Sequence, residues 1–585
     1  MYRNLNADFS KAAHLEKKRS IMPINTGRAT TANAGDLVPF FWTETLAGGT
    51  YSMDTTIVAR LNPSINPTMS TAFLDYMYFF IPSRILWADW KHFFGEPESY
   101  WTPTQTYTVP QIKFPSGGFS VGSVADHLGL PTATSYNGSV VASATGASGD
   151  MDSVSILPIL SYIHVYNEWF RDINLQDPAY APTTTAGLQN ITGWTIGEGQ
   201  EVANPLMSAL HGARLLKACK PGDLFTHSLP SPQRGPEVSL PIAVSGNLPV
   251  YTGSDHDYST ESLRWALTNG TASSEFMTGY NHLFMYRQPD GALYDRGFKT
   301  VAARENETSP GGLMKDVVPT NLYALANNAV AASLNDLRYA FALQHLYEDL
   351  ARHGARYRSI LHGIFGVSDP NPTEDIPEYI GGGRTEINMS TVIQSARLGS
   401  SGAALGSTAG YSHTVTGGKS YVYSCDEPGI ILGVFTIRNP KTYAQGLNRM
   451  WLRKDRFDYY WPEFANIGEV AVPKGTLFLN NDGHNNDVFG YQEAWYEYRQ
   501  IPYEVSGLFR PGVSGSLASW NYADFYTSRP TLSDSWIADN SQENIDRTLA
   551  TPSATAGCQF LIDIALKGTH VLPMPVYSIP GLSRL

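Results

Sequence analysis

Four short constellations in this 585-residue chain carry residue types that could do chemistry. Gly118-Phe-Ser-Val-Gly122 matches a nucleophile elbow, in which a strand–turn–helix would present Ser120 to a substrate carbonyl. Neither flanking element is legible, and a Gly/Ser-rich stretch produces such matches by chance. Gly418-Lys419-Ser420 has the tail of a phosphate-binding loop, but the first glycine of that pattern falls at His413, so the backbone cradle is missing. Asn480-Asn-Asp-Gly-His-Asn-Asn-Asp487 offers oxygen donors to a hard cation without the spacing or terminal Glu of an EF-hand loop, and a turn between strands accounts for it better. Glu493 and Glu497, in YQEAWYEYR, could be read as the acid pair of a glycosidase. On a strand, residues four apart lie about 13 Å from one another, outside that mechanism's window, so pairing with Arg499 or with a neighbouring subunit is the expectation.

Cys219, Cys425 and Cys558 are far apart and show no Cys-x-x-Cys or Cys/His ligand spacing, which excludes a disulfide scaffold and structural zinc. The sequence thus predicts no catalytic residue, no cofactor and no metal site. It also has no apolar run of signal-peptide length after its early basic residues and none approaching a membrane span, so no membrane insertion is expected.

Charged residues make up 16% of the chain, against roughly 25% in ordinary soluble proteins, while aromatics reach 12%. Low charge with many rings implies extensive surface buried against partners. The net charge of −12 conceals an asymmetry. Residues 1–35 carry Arg3, Lys11, Lys17, Lys18, Arg19 and Arg28 against Asp8 and Glu16, leaving the remainder strongly acidic. A basic arm ahead of an acidic body suits contact with polyphosphate through Lys11, Lys17, Lys18 and Arg19; a solvated terminus is the other reading.

The elements that must position anything else begin at Asp36. Leu37 to Leu46, Tyr51 to Leu61 and Thr71 to Ile81 are β-branched and aromatic runs separated by Gly48-Gly49 and a Pro63–Pro67 loop, the start of an antiparallel meander. The third run has large side chains on both faces and must be covered from two sides. Trp87, Trp90, Phe93 and Phe94 follow at helical spacing, as candidates for a short plugging helix. Residues 97–151 read as a loop-rich excursion, Ser155–Asp177 as an amphipathic helix, and 245–318 as a long polar excursion with rings of its own to bury. A helix opens at Ser333 and ends near Gly354, with apolar residues on more than one stripe. Strand signals return at Tyr421–Ser424, Ile430–Arg438, Val488–Gln500, Ser506–Phe509 and Gln559–Leu566. Early and late strands around a helical, loop-rich middle require pairing across hundreds of residues, which jelly rolls provide.

Several segments carry a family resemblance. "GDLVPFFWTETLAGGTYSMD", "TAFLDYMYFFIPSRILWADWKHFFGE", "NEWFRDINLQDP", "LNDLRYAFALQHLYEDLARHGARY", "PEYIGGG", "YAQGLNRMW", "FDYYWPEFANIGE", "VFGYQEAWYEYR" and "PMPVYSIPGL" follow one another as similar segments do in the major capsid proteins of small single-stranded-DNA phages, the gokushovirus branch of the microviruses. The resemblance covers the chain from about residue 20 to its end. It implies a mainly β fold, an eight-stranded viral jelly roll with long helical and loop insertions, forming a single domain over 36–585. It further implies copies closing a T=1 icosahedral shell around circular single-stranded DNA. The expected partners are small DNA-binding, scaffolding and pilot virion proteins and a host-surface receptor, and the place of assembly is the bacterial cytoplasm. Residues 245–318 are the candidate surface protrusion. Trp87, Trp90, Phe93, Trp451, Tyr459, Tyr460, Trp461 and Trp495 are candidates for core or subunit contacts. A carbohydrate-active β-sandwich, enzyme or lectin, is the alternative that aromatic richness and acidity leave open.

Overall fold

The computed structural model describes residues 19–96, 107–113, 119–132, 153–179, 214–236, 334–352, 375–395 and 407–577, with isolated short segments between them. The chain divides into two compact units, Met1–Arg234 with Tyr347–Leu585, and Gly235–Leu346.

Eight strands frame the larger unit: β1 (Ser20–Ala32), β2 (Val38–Thr45), β3 (Thr50–Leu61), β4 (Phe73–Pro82), β5 (Glu378–Glu386), β6 (Thr414–Ser424), β7 (Gly429–Arg438) and β8 (Phe560–Leu572). They form two four-stranded antiparallel sheets of order β1-β8-β3-β6 and β5-β4-β7-β2. Alternate strands of the chain thus go to opposite sheets at the start, and the last strand inserts between the first and third, which is the jelly-roll order. Residues 83–377 separate β4 from β5, and residues 439–559 separate β7 from β8.

The burial patterns explain which sheet is wetted. Along β3, Tyr51, Met53, Thr55, Ile57, Ala59 and Leu61 are buried while their neighbours face outward, and β8 alternates in the same way. Along β7, by contrast, every residue from Gly429 to Ile437 is buried. One sheet is therefore covered on a single face and the other on both. Between the sheets lie Phe40, Met53, Ile57, Tyr78, Phe435, Phe560 and Ile564. On the far side of the β5-β4-β7-β2 sheet, Phe79, Ile81, Leu432 and Val434 pack against Trp87 and helix α1 (Leu157–Val165), each fully buried large side chain contributing about 1.5–3 kcal/mol. Tyr162 of α1 donates to the Leu37 carbonyl at 2.8 Å and accepts from the Leu216 amide at 2.9 Å, tying the helix to the entry of β2.

The PEYIGGG segment acquires a physical reason here. A Cβ on Gly382 would fall 2.2 Å from the Tyr76 carbonyl oxygen and one on Gly381 2.2 Å from that of Ser420, so β5 can approach both β4 and β6 only without side chains. The pairing of β5 with β4 shifts register at this point.

Several expectations change. The arm drawn to residue 35 is too long: Ser20–Ala32 is a full edge strand paired with β8 from Ser20↔Leu572 to Ala32↔Phe560. Within the 97–151 excursion, Phe119, Val124, Ala125 and Leu128 are buried in the cluster around Trp87, so part of it is core. The helix expected over Ser155–Asp177 stops earlier, as α1 followed by a π-helical turn over Tyr166–Phe170. Helix α2 (Leu334–Arg352) forms as its cap and periodicity predict, but Tyr339, Phe341 and Leu346 are exposed rather than buried. Val488–Gln500 is a strand only to Glu493, and Gly507–Phe509 is a 3-10 turn. Residues 245–318 fall within the smaller unit, where short strands such as Trp265–Thr268 and Asp316–Pro319 pair; the rest of that excursion lies outside the described residues.

Candidate assembly surface

The β7–β8 connection contains a hairpin, Glu469–Pro473 paired with Val488–Glu493, and just before it a loop from Asn448 to Gly468. Three 3-10 turns build this loop. The Asn448 side chain accepts from the Met450 amide to start Arg449–Leu452, Asp455 and Asp458 form a capping box around Arg456–Asp458, and Pro462 opens Pro462–Phe464. The Asp458 carboxylate accepts from the Asp455 and Lys454 amides, and these bonds hold it below its ordinary pKa. Two indoles pin the loop: Trp461 Nε1 donates to the Arg456 carbonyl and Trp495 Nε1 to that of Phe464, each at 2.8 Å.

The loop's rings face solvent. Trp451 is 81% exposed, and Phe457, Tyr459, Tyr460 and Trp461 are exposed alongside Ile467, while Tyr498, Ile501 and Tyr503 continue the exposed apolar surface after the hairpin. Tyr460 meets Trp495 edge-on at 5.6 Å between centroids, and the Arg453 guanidinium lies over Tyr498 at 4.6 Å and Tyr459 at 5.2 Å. Beneath the rings is a pocket of about 470 Å³ bordered by Phe457, Phe464, Ile467, Trp495, Arg453 and Glu497.

The predicted residues separate into two places. Trp87 is fully buried in the core beside α1; Trp90 is half-buried and Phe93 exposed, the three rings lying 5.6–6.4 Å apart. Tyr459, Tyr460, Trp461 and Trp495 come together around the pocket, and Trp451 stands on the same loop. Arg19 is exposed just ahead of β1, and Lys11, Lys17 and Lys18 lie outside the described residues.

The constellations with chemical residue types have structural partners. Ser120 sits in the turn before the short helix Val124–His127, and His127 Nδ1 is 3.1 Å from the Thr30 hydroxyl. Ser420 lies buried on β6, donating to Thr55, so Gly418–Ser420 is a strand rather than a phosphate loop. The 480–487 segment is the hairpin turn, with Asp482 held by Arg529. Glu493 and Glu497 do not share a strand: Trp495 between them has a left-handed backbone (φ 65°) and Glu497 belongs to the short helix Tyr496–Arg499. Glu493 pairs with Arg499 and Glu497 with Arg453, so each carboxylate has its own cation. The Arg453–Glu497 pair is a component that spacing alone misses. Its one signal is the alternation of Arg449, Arg453 and Arg456 with aromatics.

The match to known proteins runs through this whole frame. A family model described as capsid protein (F protein) of phages matches residues 10–582. The chain belongs to this phage capsid-protein family. Capsid protein VP1 of Chlamydia phage 1 is 32% identical over 616 residues, covering 99% of this chain and 98% of the relative. Capsid protein VP1 of Bdellovibrio phage phiMH2K is 30% identical, covering 98% and 97%, and that of Spiroplasma virus 4 is 30% identical, covering 99% and 98%. As a capsid protein of this family the chain is structural and belongs to the virion, and its jelly roll is the sandwich the sequence resemblance implies. Among the described residues, no helix is long and apolar enough to cross a membrane.

Proposed function

We propose that this chain is the major shell-forming subunit, and that copies of it close a T=1 icosahedral capsid around circular single-stranded DNA. The observation that carries the proposal is the exposed ring cluster of Trp451, Phe457, Tyr459, Tyr460 and Trp461. A contiguous apolar patch of Trp, Tyr and Arg is what subunit contacts use, and a stable monomer has no reason to keep it wet. Trp90 and Phe93 supply a second contact, while Trp87 serves the core. The polypeptide works by complementarity and has no active site.

Basic residues Lys11, Lys17, Lys18 and Arg19 precede the edge strand and contact the packaged DNA through its phosphates. Small DNA-binding, scaffolding and pilot proteins join the particle during assembly in the host cytoplasm. The smaller unit, which contains residues 245–318, forms the surface protrusion and meets the host receptor. Electron microscopy of the full chain expressed with its scaffolding partner tests the proposal: closed shells are expected, and a monodisperse monomer under every assembly condition would contradict it.

A further inference from the structure

We propose that the pocket beneath the aromatic loop binds an unpaired nucleobase of single-stranded nucleic acid. Three independent features converge there. The first is an open hydrogen-bonding edge. Arg453 Nη2 donates to Glu497 Oε1 at 3.0 Å and Nη1 donates to Tyr498 Oη at 2.6 Å, but Arg453 Nε and Glu497 Oε2 have no partner among the described residues. Both side chains are more than nine-tenths buried, at 9% and 5% exposure, and both line the pocket. A buried guanidinium donor and carboxylate acceptor left unpaired are costly, and a bound group that supplies one acceptor and one donor side by side removes that cost.

The second feature is backbone strain. Trp495 is the only non-glycine residue with positive φ among the described residues, and this conformation puts its indole at the rim and Glu497 on the floor. The third is charge. Arg449, Arg453, Lys454 and Arg456 stand within eight residues on a chain of net charge −12, with the Arg456 guanidinium 4.6 Å over Phe457.

A nucleobase meets all three conditions. On its Watson–Crick edge each of the four bases carries a donor beside an acceptor: an N–H for Glu497 Oε2, and a nitrogen or oxygen for Arg453 Nε. Its faces stack on Phe457, Phe464 or Trp495, and its flanking phosphates meet Arg449, Lys454 and Arg456. Since every base offers such an edge, the site tolerates any sequence. A neutral sugar would make no use of the cations, and an acidic peptide would be repelled by Glu497 and Asp458. The inference concerns the single chain and stands whether or not copies of it close a shell.

Fluorescence polarisation with the unassembled full-length chain tests this. The probes are a labelled mixed-sequence deoxyoligonucleotide and an abasic strand of equal length and charge. The strand with bases is expected to bind roughly tenfold or more tightly than the abasic one, from one stacked and hydrogen-bonded base. Phe457→Ala and Glu497→Gln should each reduce that advantage several-fold while leaving abasic binding unchanged. Phe457 is exposed, so its variant keeps the test valid should Glu497→Gln fail to fold. Equal affinity for the two strands, or an advantage untouched by Phe457→Ala, would overturn the inference. So would a methyl glycoside or a neutral peptide displacing the strand at lower concentration than a nucleotide.

Discussion

Ala32, at the end of the first strand, lies directly across the sheet from Phe560, at the start of the last. Phe560 also faces Leu61 on β3 and is fully buried between the sheets. The sandwich therefore cannot close until nearly the whole chain is available, a topology dominated by long-range pairing. Phe560→Ala should destabilise the unassembled subunit by about 3–5 kcal/mol, read from urea unfolding, and a chain ending before β8 should not fold cooperatively. A loss under ~1 kcal/mol would show that β8 is not central to the core.

Lys441 Nζ lies 2.6 Å from Asp539 Oδ1, and solvent reaches neither side chain. This pair joins the exit of β7 to the segment before β8. Lys441→Met alone should cost about 3–5 kcal/mol because it leaves a buried carboxylate unpaired, whereas Lys441→Met with Asp539→Asn should recover much of the loss. Additive losses in the double variant would refute that explanation.

Asp36, between β1 and β2, has its pKa pushed up to about 6 by burial, with Lys217 at 4.0 Å opposing the shift. Its ordinary value is 3.8, so between these pH values the folded chain retains a proton that the unfolded chain has lost. The resulting penalty is absent at pH 3.5, grows through pH 4–6 and is complete above it. Asp36→Asn should accordingly stabilise the subunit at pH 7.5 by roughly 1–3 kcal/mol and give no gain at pH 3.5. An equal effect at both pH values would mean that the charge is not the cause.

Neutralising Lys17, Lys18 and Arg19 together should lower the DNA retained by purified particles, with a deficit that shrinks at high salt as screening takes over. Genome content equal to wild type at low salt would show that these residues do not hold DNA.

What the sequence disclosed follows from how each element earns its burial. β2, β3, β4, β7 and β8 were legible because strict alternation or a continuous apolar run leaves one structural option. β1 was hidden because an edge strand tolerates Asn25, Thr26 and Gly27 facing water, and β5 because its glycines carry no side chain to form a pattern. The break in Val488–Gln500 was invisible since nothing in a tryptophan's identity announces a left-handed backbone. The eight-strand order was visible through family resemblance and not through local pattern. For the surface, ring content pointed to Tyr459–Trp461, but the partnership of Arg453 with Glu497 joins residues with no periodic relation.

The most direct test of the central claim is assembly of a chain carrying Trp451→Ala, Tyr459→Ala and Trp461→Ala, followed by sedimentation and electron microscopy beside wild type. These exposed side chains should alter the subunit's own unfolding by no more than about 1 kcal/mol, while closed particles should fall at least tenfold. Wild-type yields of closed particles from the triple variant would contradict the claim that this aromatic surface joins the subunits.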